Sequence, residues 1–246
     1  MIIGVSMRRF WCETSSEDEF VFDKEESNHI YRVLRLDKGE HIIVCDGSGY
    51  DYECILTENG DICKAEIINR KISESETKSE IALFQSVIKN EKMDIVIQKA
   101  TELGITRIVP VITEYTVVKL NEKESKKQER WQRIAQMACK QCGRSRVPKV
   151  ESAVNFSDAL KFFREYEQRL VAYEEEKTQN ICDAVKKAKS TAYFIGPEGG
   201  ITENEHKQLV LQGAVSVSLG KRILRAETAA IACGSIILAL TGEMDV

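Results

Sequence analysis

The spacing of hydrophobic positions changes near residue 80. Before it, short alternating or apolar runs recur at Glu19–Phe22, His41–Cys45, Tyr50–Leu56 and Ile62–Ile68. Turn signals separate them: Asp37-Lys38-Gly39, Asp46-Gly47-Ser48-Gly49 and Glu58-Asn59-Gly60-Asp61. Several short strands at this spacing predict a small β-barrel. Residues 27–36 depart from it, because Ile30, Val33 and Leu34 follow a helical period. That helix would put Arg32 and Arg35, three apart, on one face. The stretch from Arg70 to Ser79 is polar with one apolar residue and reads as a linker.

From Ile81 onward strand-like and helix-like runs alternate. Residues 81–88, 105–111, 169–173, 191–195 and 214–219 read as strands, and 93–103, 130–142, 157–166 and 229–240 as helices. Gly104 ends the first of these helices in the manner of a C′ glycine. Ser157 is the expected N-cap of the third. Thr202-x-x-Glu205 predicts a capping box at the start of a helix that ends before Gly213. Residues 229–240 are apolar all round, which predicts a buried helix. The alternation predicts an α/β domain with a mainly parallel sheet. The domain boundaries read from this are 1–73 for the barrel and 74–246 for the α/β domain.

Composition narrows the class. The 246 residues are 43% hydrophobic and 30% charged, with a net charge of −4, which is ordinary for a soluble globular protein. No apolar run approaches the ~20 residues of a membrane span. The order of Ile2-Ile3 before Arg8-Arg9 is wrong for a secretory signal, so a cytoplasmic protein with no membrane partner is expected. The eight cysteines are scattered, and Cys139-Lys140-Gln141-Cys142 stands without a second pair or a neighbouring histidine. It therefore reads as reduced helix cysteines, with no metal site. Charge is uneven. Residues 1–73 hold nine Lys/Arg against fifteen Asp/Glu, whereas residues 121–150 hold nine against three. In Asn121–Glu129 acids and bases alternate, as on a solvated helix face. Lys140, Arg144, Arg146 and Lys149 have no acid among them and are the better candidates for an RNA contact.

Two glycine-rich stretches carry the chemistry. Phe194-Ile195-Gly196-Pro197-Glu198-Gly199-Gly200 and Leu219-Gly220-Lys221-Arg222-Ile223-Leu224-Arg225-Ala226-Glu227-Thr228-Ala229 each follow a strand-like run and lead into a helix-like one. Two such turns on one open α/β sheet build a single pocket at the carboxyl ends of the strands. Neither is a G-x-G-x-x-G or a G-x-x-x-x-G-K-[ST]. With no lysine or hydroxyl placed for a triphosphate and magnesium, the first turn suits an adenine or ribose better. Ile223 and Leu224 are placed to clamp an aromatic ring, and Arg225 and Glu227 to orient polar groups. Read singly, each stretch is as well explained by a tight turn with surface charge.

Together the two motifs resemble the SPOUT methyltransferases, and within them the ribosomal RNA small subunit methyltransferase E family. Met7-Arg8-Arg9-Phe10, His29–Arg35, Lys92-Met93-Asp94, Gln98–Gly104 and Gln141-Cys142-Gly143-Arg144 match further blocks, so the resemblance covers most of the chain. Tyr115-Thr116 and Lys140 depart from the family pattern on its presumed RNA side. The resemblance implies a PUA-like RNA-binding barrel over 1–73 and a SPOUT domain with a deep trefoil knot over 74–246. It implies a homodimer that uses S-adenosyl-L-methionine to methylate N3 of one uridine in 16S rRNA of the small ribosomal subunit. The cofactor would lie among Tyr173, Ile195, Gly196, Pro197, Glu198, Gly199, Gly200, Leu219, Gly220, Ile223, Leu224, Arg225, Thr228 and Ala229. Arg225, Glu198 and Glu227 are the expected catalytic residues: Arg225 to steady the uracil anion, the glutamates to orient substrate or accept a proton. Arg8, Arg9, Arg32, Arg35, Lys140, Arg144, Arg146 and Lys149 are the expected RNA contacts. A related enzyme acting on tRNA, or a non-catalytic RNA-binding protein, are the alternatives.

Overall fold

A computed structural model describes residues 7–13, 16, 18–116 and 124–244. Ile2-Ile3 and the start of the charged run at 121–129, both read above, lie outside the described residues. The chain divides into two compact units, one of residues 1–76 with 139–147 and one of residues 77–138 with 148–246.

In the first unit β1 (Arg9–Trp11), β2 (Glu19–Val21), β3 (His41–Cys45), β4 (Tyr50–Glu58) and β5 (Lys64–Ile72) form one curled sheet in the order β1-β3-β4-β5-β2. It is a half-barrel with two edges. The β4–β5 pairing shifts register twice, the kind of irregularity that bends a strand. Phe10, Phe20, Phe22, Ile42, Val44, Cys54 and Leu56 fill its core. The helical stretch starts earlier than the periodicity predicts: α1 (Lys24–Asn28), capped by Asp23, passes into a π-helical turn at His29–Val33. Arg35 lies beyond it with φ of +53°, so it does not share a helix face with Arg32.

Residues 139–147 join this unit through a buried polar cluster. Glu76 accepts hydrogen bonds from the Arg144 side chain at 2.8 Å and from the backbone N–H groups of Ser145 and Arg146 at 2.7 and 2.8 Å. Asp51 pairs bidentately with Arg9 at 2.8 and 2.7 Å and accepts from the Ser145 hydroxyl. Burial works to raise the Asp51 pKa, but these donors outweigh it and hold the carboxyl below its ordinary value.

The second unit is the predicted α/β layer. It contains β6 (Glu80–Ser86), α2 (Asn90–Leu103), β7 (Arg107–Ile112), α3 (Glu124–Cys142, whose last turn falls in the first unit), β8 (Lys149–Val150), β9 (Val154–Asn155) and α4 (Phe156–Phe163). It continues with β10 (Gln168–Ala172), α5 (Ile181–Ala184), β11 (Ser190–Ile195), α6 (Glu203–Leu211), β12 (Val215–Val217) and α7 (Ala226–Thr241). The sheet order is β12-β10-β11-β6-β7-β8, with β9 also on β7, and every pairing is parallel. Two expectations change. Asn155, not Ser157, is the N-cap of α4, and it makes no side-chain cap bond. The helix α7 is not buried all round: Cys233, Gly234, Ile237 and Leu238 are buried, but Ile231 on one side of them is not, and Ile236 and Leu240 on the other side form a half-open flank. Gly234 brings this helix down onto β11, since a Cβ there would stand 2.7 Å from the Tyr193 hydroxyl.

Candidate functional site

Three neighbouring strands end at one level. Ala172 of β10 is in register with Ile195 of β11 on one side and Val217 of β12 on the other. Because the strands are parallel, the chain leaves all three at the same sheet edge, where open α/β sheets bind ligands. The turns at 172–174, 196–200 and 218–225 therefore face one space, a cavity of about 560 Å³. That is the size of a small-molecule site.

The glycine turn is tight. The Gly200 N–H donates to the Pro197 carbonyl at 2.9 Å, and Gly200 has φ of +74°. A Cβ at Gly200 would stand 2.2 Å from Oε1 of Glu174, so only glycine lets this carboxylate lie over the turn. Behind it, Glu205 completes the predicted capping box with Thr202 and also accepts the Glu114 N–H at 2.9 Å. That bond helps set Tyr115 against Gly199, where a Cβ would meet the tyrosine at 3.3 Å. Tyr115 thus packs beside the glycine turn with half of its surface exposed. Tyr173 stacks on His206 with ring centroids 3.9 Å apart. Burial lowers the His206 pKa despite the acids Glu174, Glu175, Glu176 and Glu203 around it.

Of the residues expected to hold a cofactor, Tyr173, Ile195, Gly196, Pro197, Glu198, Gly199, Gly200, Leu219, Gly220, Ile223, Leu224, Arg225 and Ala229 line the cavity. Thr228 does not, nor does Glu227, expected as a catalytic residue. Ile223 is 93% exposed, an apolar side chain at the rim with almost no cover. Ala172, Glu174, Lys221, Arg222 and Ala226 of the same loops also line it, and so do Lys92, Val217 and Ser218, which the sequence does not place there. Lys92, on the first turn of α2, reaches Glu198 at 3.3 Å and Glu227 at 3.7 Å. Burial works to raise the Glu198 pKa. The backbone N–H groups of Glu198 and Lys89 and the Lys92 ammonium outweigh it and hold the carboxyl below its usual value.

The expected RNA-contact residues separate by exposure. Arg8, Arg32, Arg35, Lys140, Arg146 and Lys149 are exposed. Arg9 is exposed too, but its guanidinium is engaged by Asp51. Arg144 is buried, 3% exposed and spent on Glu76, so it is a structural ion pair and not an RNA contact. Arg32 is paired with Asp61, and Lys149 with Glu151. No helix among the described residues is long and apolar enough to cross a membrane.

Comparison with known proteins agrees with this geometry. Residues 75–238 match the RNA methyltransferase domain family, and residues 22–70 the RNA methyltransferase PUA domain. The ribosomal RNA small subunit methyltransferase E of Bacillus subtilis (strain 168) is 33% identical over 91% of this chain and 93% of its own length. The chain belongs to the ribosomal RNA small subunit methyltransferase E family. Its counterpart in Aquifex aeolicus (strain VF5) is 33% identical over 94% of this chain and 99% of its own. The family enzyme of Neisseria gonorrhoeae, solved bound to S-adenosyl methionine, superposes with a TM-score of 0.81 at 32% identity, covering 95% of this chain and 98% of its own. A Legionella pneumophila methyltransferase solved with SAM gives a TM-score of 0.81 at 29% identity, covering 96% and 98%.

The residues present fit such a cofactor. The apolar Ile195, Leu219, Leu224 and Ala229 suit a flat ring. The N-terminus of α7 has no side-chain cap, leaving its first N–H groups for a ligand.

Proposed function

We propose that the protein transfers a methyl group from S-adenosyl-L-methionine to N3 of a uridine in 16S rRNA of the small ribosomal subunit, acting in the cytoplasm as a homodimer. The observation that carries this reading is the level ending of β10, β11 and β12. It gathers the two family motifs around one cavity in a chain of this family. The bound cofactor supplies an electrophilic methyl group. The chain's residues hold it against the base and lower the barrier mainly by positioning.

Uracil N3 lies on the pairing edge, so the base must leave its stack. Arg225, an exposed residue of the cavity wall, steadies the charge that develops on the uracil carbonyl. Glu198 and Glu227 share the Lys92 ammonium. A carboxyl held ionised accepts a proton poorly, so the role assigned to Glu198 is orientation.

RNA is taken by the 1–73 domain and by the exposed Arg8, Arg32, Arg35, Lys140, Arg146 and Lys149, with Arg9 at its edge. The 74–246 domain carries the catalytic site. The half-open apolar flank of α7, at Ile236 and Leu240, supports a second copy as its cover. A trefoil knot belongs to the same reading. After β12 at the sheet edge, α7 packs back against β11, β6 and α2, the course expected of a threaded C-terminal segment.

The test is incubation with labelled cofactor and small subunits, naked 16S rRNA or tRNA, followed by mapping of the methyl group. Label at N3 of one 16S uridine is expected. Label on tRNA alone would make this a sister activity, and no label together with no cofactor binding would leave an RNA-binding protein.

A further inference from the structure

Among the described residues, Lys92 is the one of α2 that lines the cavity. Its ammonium carries three N–H donors. Among the described residues only Glu198 accepts a hydrogen bond from it, at 3.3 Å. Glu227 stands 3.7 Å away, beyond hydrogen-bond reach, and its Oε2 is buried without a hydrogen-bond partner. One ammonium thus faces two carboxylates, with donors left over at the cavity wall. As a brace alone this is a poor use of charge, because a partly buried cation keeps its value only when its donors are engaged.

The cavity wall is mixed. Ile195, Leu219, Leu224 and glycine backbone are its uncharged part, and Lys92, Glu174, Glu198, Lys221, Arg222 and Arg225 its charged residues; of these, Lys92 and Glu198 are the pair joined to each other. The proposed cofactor is mixed in the same way, with an adenosine at one end and an amino-acid zwitterion at the other. We propose that Lys92 reads the amino-acid end of the cofactor: its ammonium takes the α-carboxylate, and Glu198 beside it faces the α-ammonium. Glu227 is then a positioning residue that keeps the ammonium aimed at the wall. This rests on the cofactor reading above and deepens it.

The experiment is calorimetry with two unreactive ligands. S-adenosylhomocysteine carries the amino-acid end, and 5′-methylthioadenosine lacks it. The unaltered protein should bind the first more tightly. In Lys92→Met the affinity for S-adenosylhomocysteine should fall roughly tenfold or more, the usual effect of losing a hydrogen bond between charged groups. The affinity for 5′-methylthioadenosine should stay within about twofold, so the ratio collapses. Lys92→Arg, which keeps the charge, should restore part of the ratio. If Lys92→Met weakens both ligands equally, the residue is only a brace and the proposal fails; it fails also if neither affinity moves. Should Lys92→Met not fold, Glu198→Gln is measured in the same way, and an unchanged ratio there overturns the proposal. Absence of binding of either ligand to the unaltered protein would instead overturn the cofactor reading itself.

Discussion

Arg144 and Arg146 stand two residues apart and look alike in sequence, yet they face different fates. Arg144 is buried against Glu76, and Arg146 is exposed. Removing one partner of a buried ion pair leaves the other charge unpaired. Arg144→Ala should therefore cost about 3–5 kcal/mol of stability in denaturant titrations. Arg146→Ala should leave stability within about 0.5 kcal/mol and weaken RNA binding in a filter assay, with a shallower dependence on salt. His206 gives a pH prediction. Burial lowers its pKa from 6.5 in the fold. The stability it contributes is present above about pH 6.5 and lost as pH falls through the lowered folded value. Melting temperature should drop on going from pH 7.5 to 5, and His206→Gln should flatten that part of the profile. Neither effect was legible in the sequence, where Arg144 and His206 are simply polar residues. Burial is a property of the neighbours that the fold brings, and those neighbours are distant in the chain.

At the scale of elements, local signals were read well where they are self-contained. The Thr202–Glu205 capping box forms as its spacing predicts, and Gly104 ends α2 with a left-handed φ of +109°. Thr202→Ala should cost about 1 kcal/mol in thermal melts. Glu205→Ala should cost more, because it also strips the Glu114 N–H of its acceptor. Elements that depend on partners are not legible in the sequence. β1, Arg9–Trp11, is too short to show alternation and exists through its pairing with β3. The π-helical turn at His29–Val33 and the left-handed Arg35 broke the helix face expected for Arg32 and Arg35. The run at 229–240 reads as apolar all round, but the chain buries only part of it. A hydrophobic pattern says that a surface must be covered, not what covers it.

On the scale of the whole molecule, ligand and partner should register as stability and mass. A ligand at a hundredfold excess over its Kd adds about 2.7 kcal/mol to the fold that binds it. S-adenosylhomocysteine should therefore raise the melting temperature of the protein. Gly200→Ala, strained at φ +74° and driven against Glu174, should lose most of that rise in the same assay. If the open flank of α7 is covered by a second copy, Leu240→Glu should halve the mass seen by sedimentation while leaving the circular dichroism spectrum unchanged. By itself the sequence determined the class of each half, the parallel layer of the second, and the two glycine motifs, because periodicity and turn chemistry are local and survive without neighbours. Tertiary structure alone decided that the ends of β10, β11 and β12 lie level, that Lys92 from α2 joins Glu198 and Glu227, and that Arg144 belongs to the interior. Each of these depends on strand order and register, which bring together residues separated by tens or more than a hundred positions.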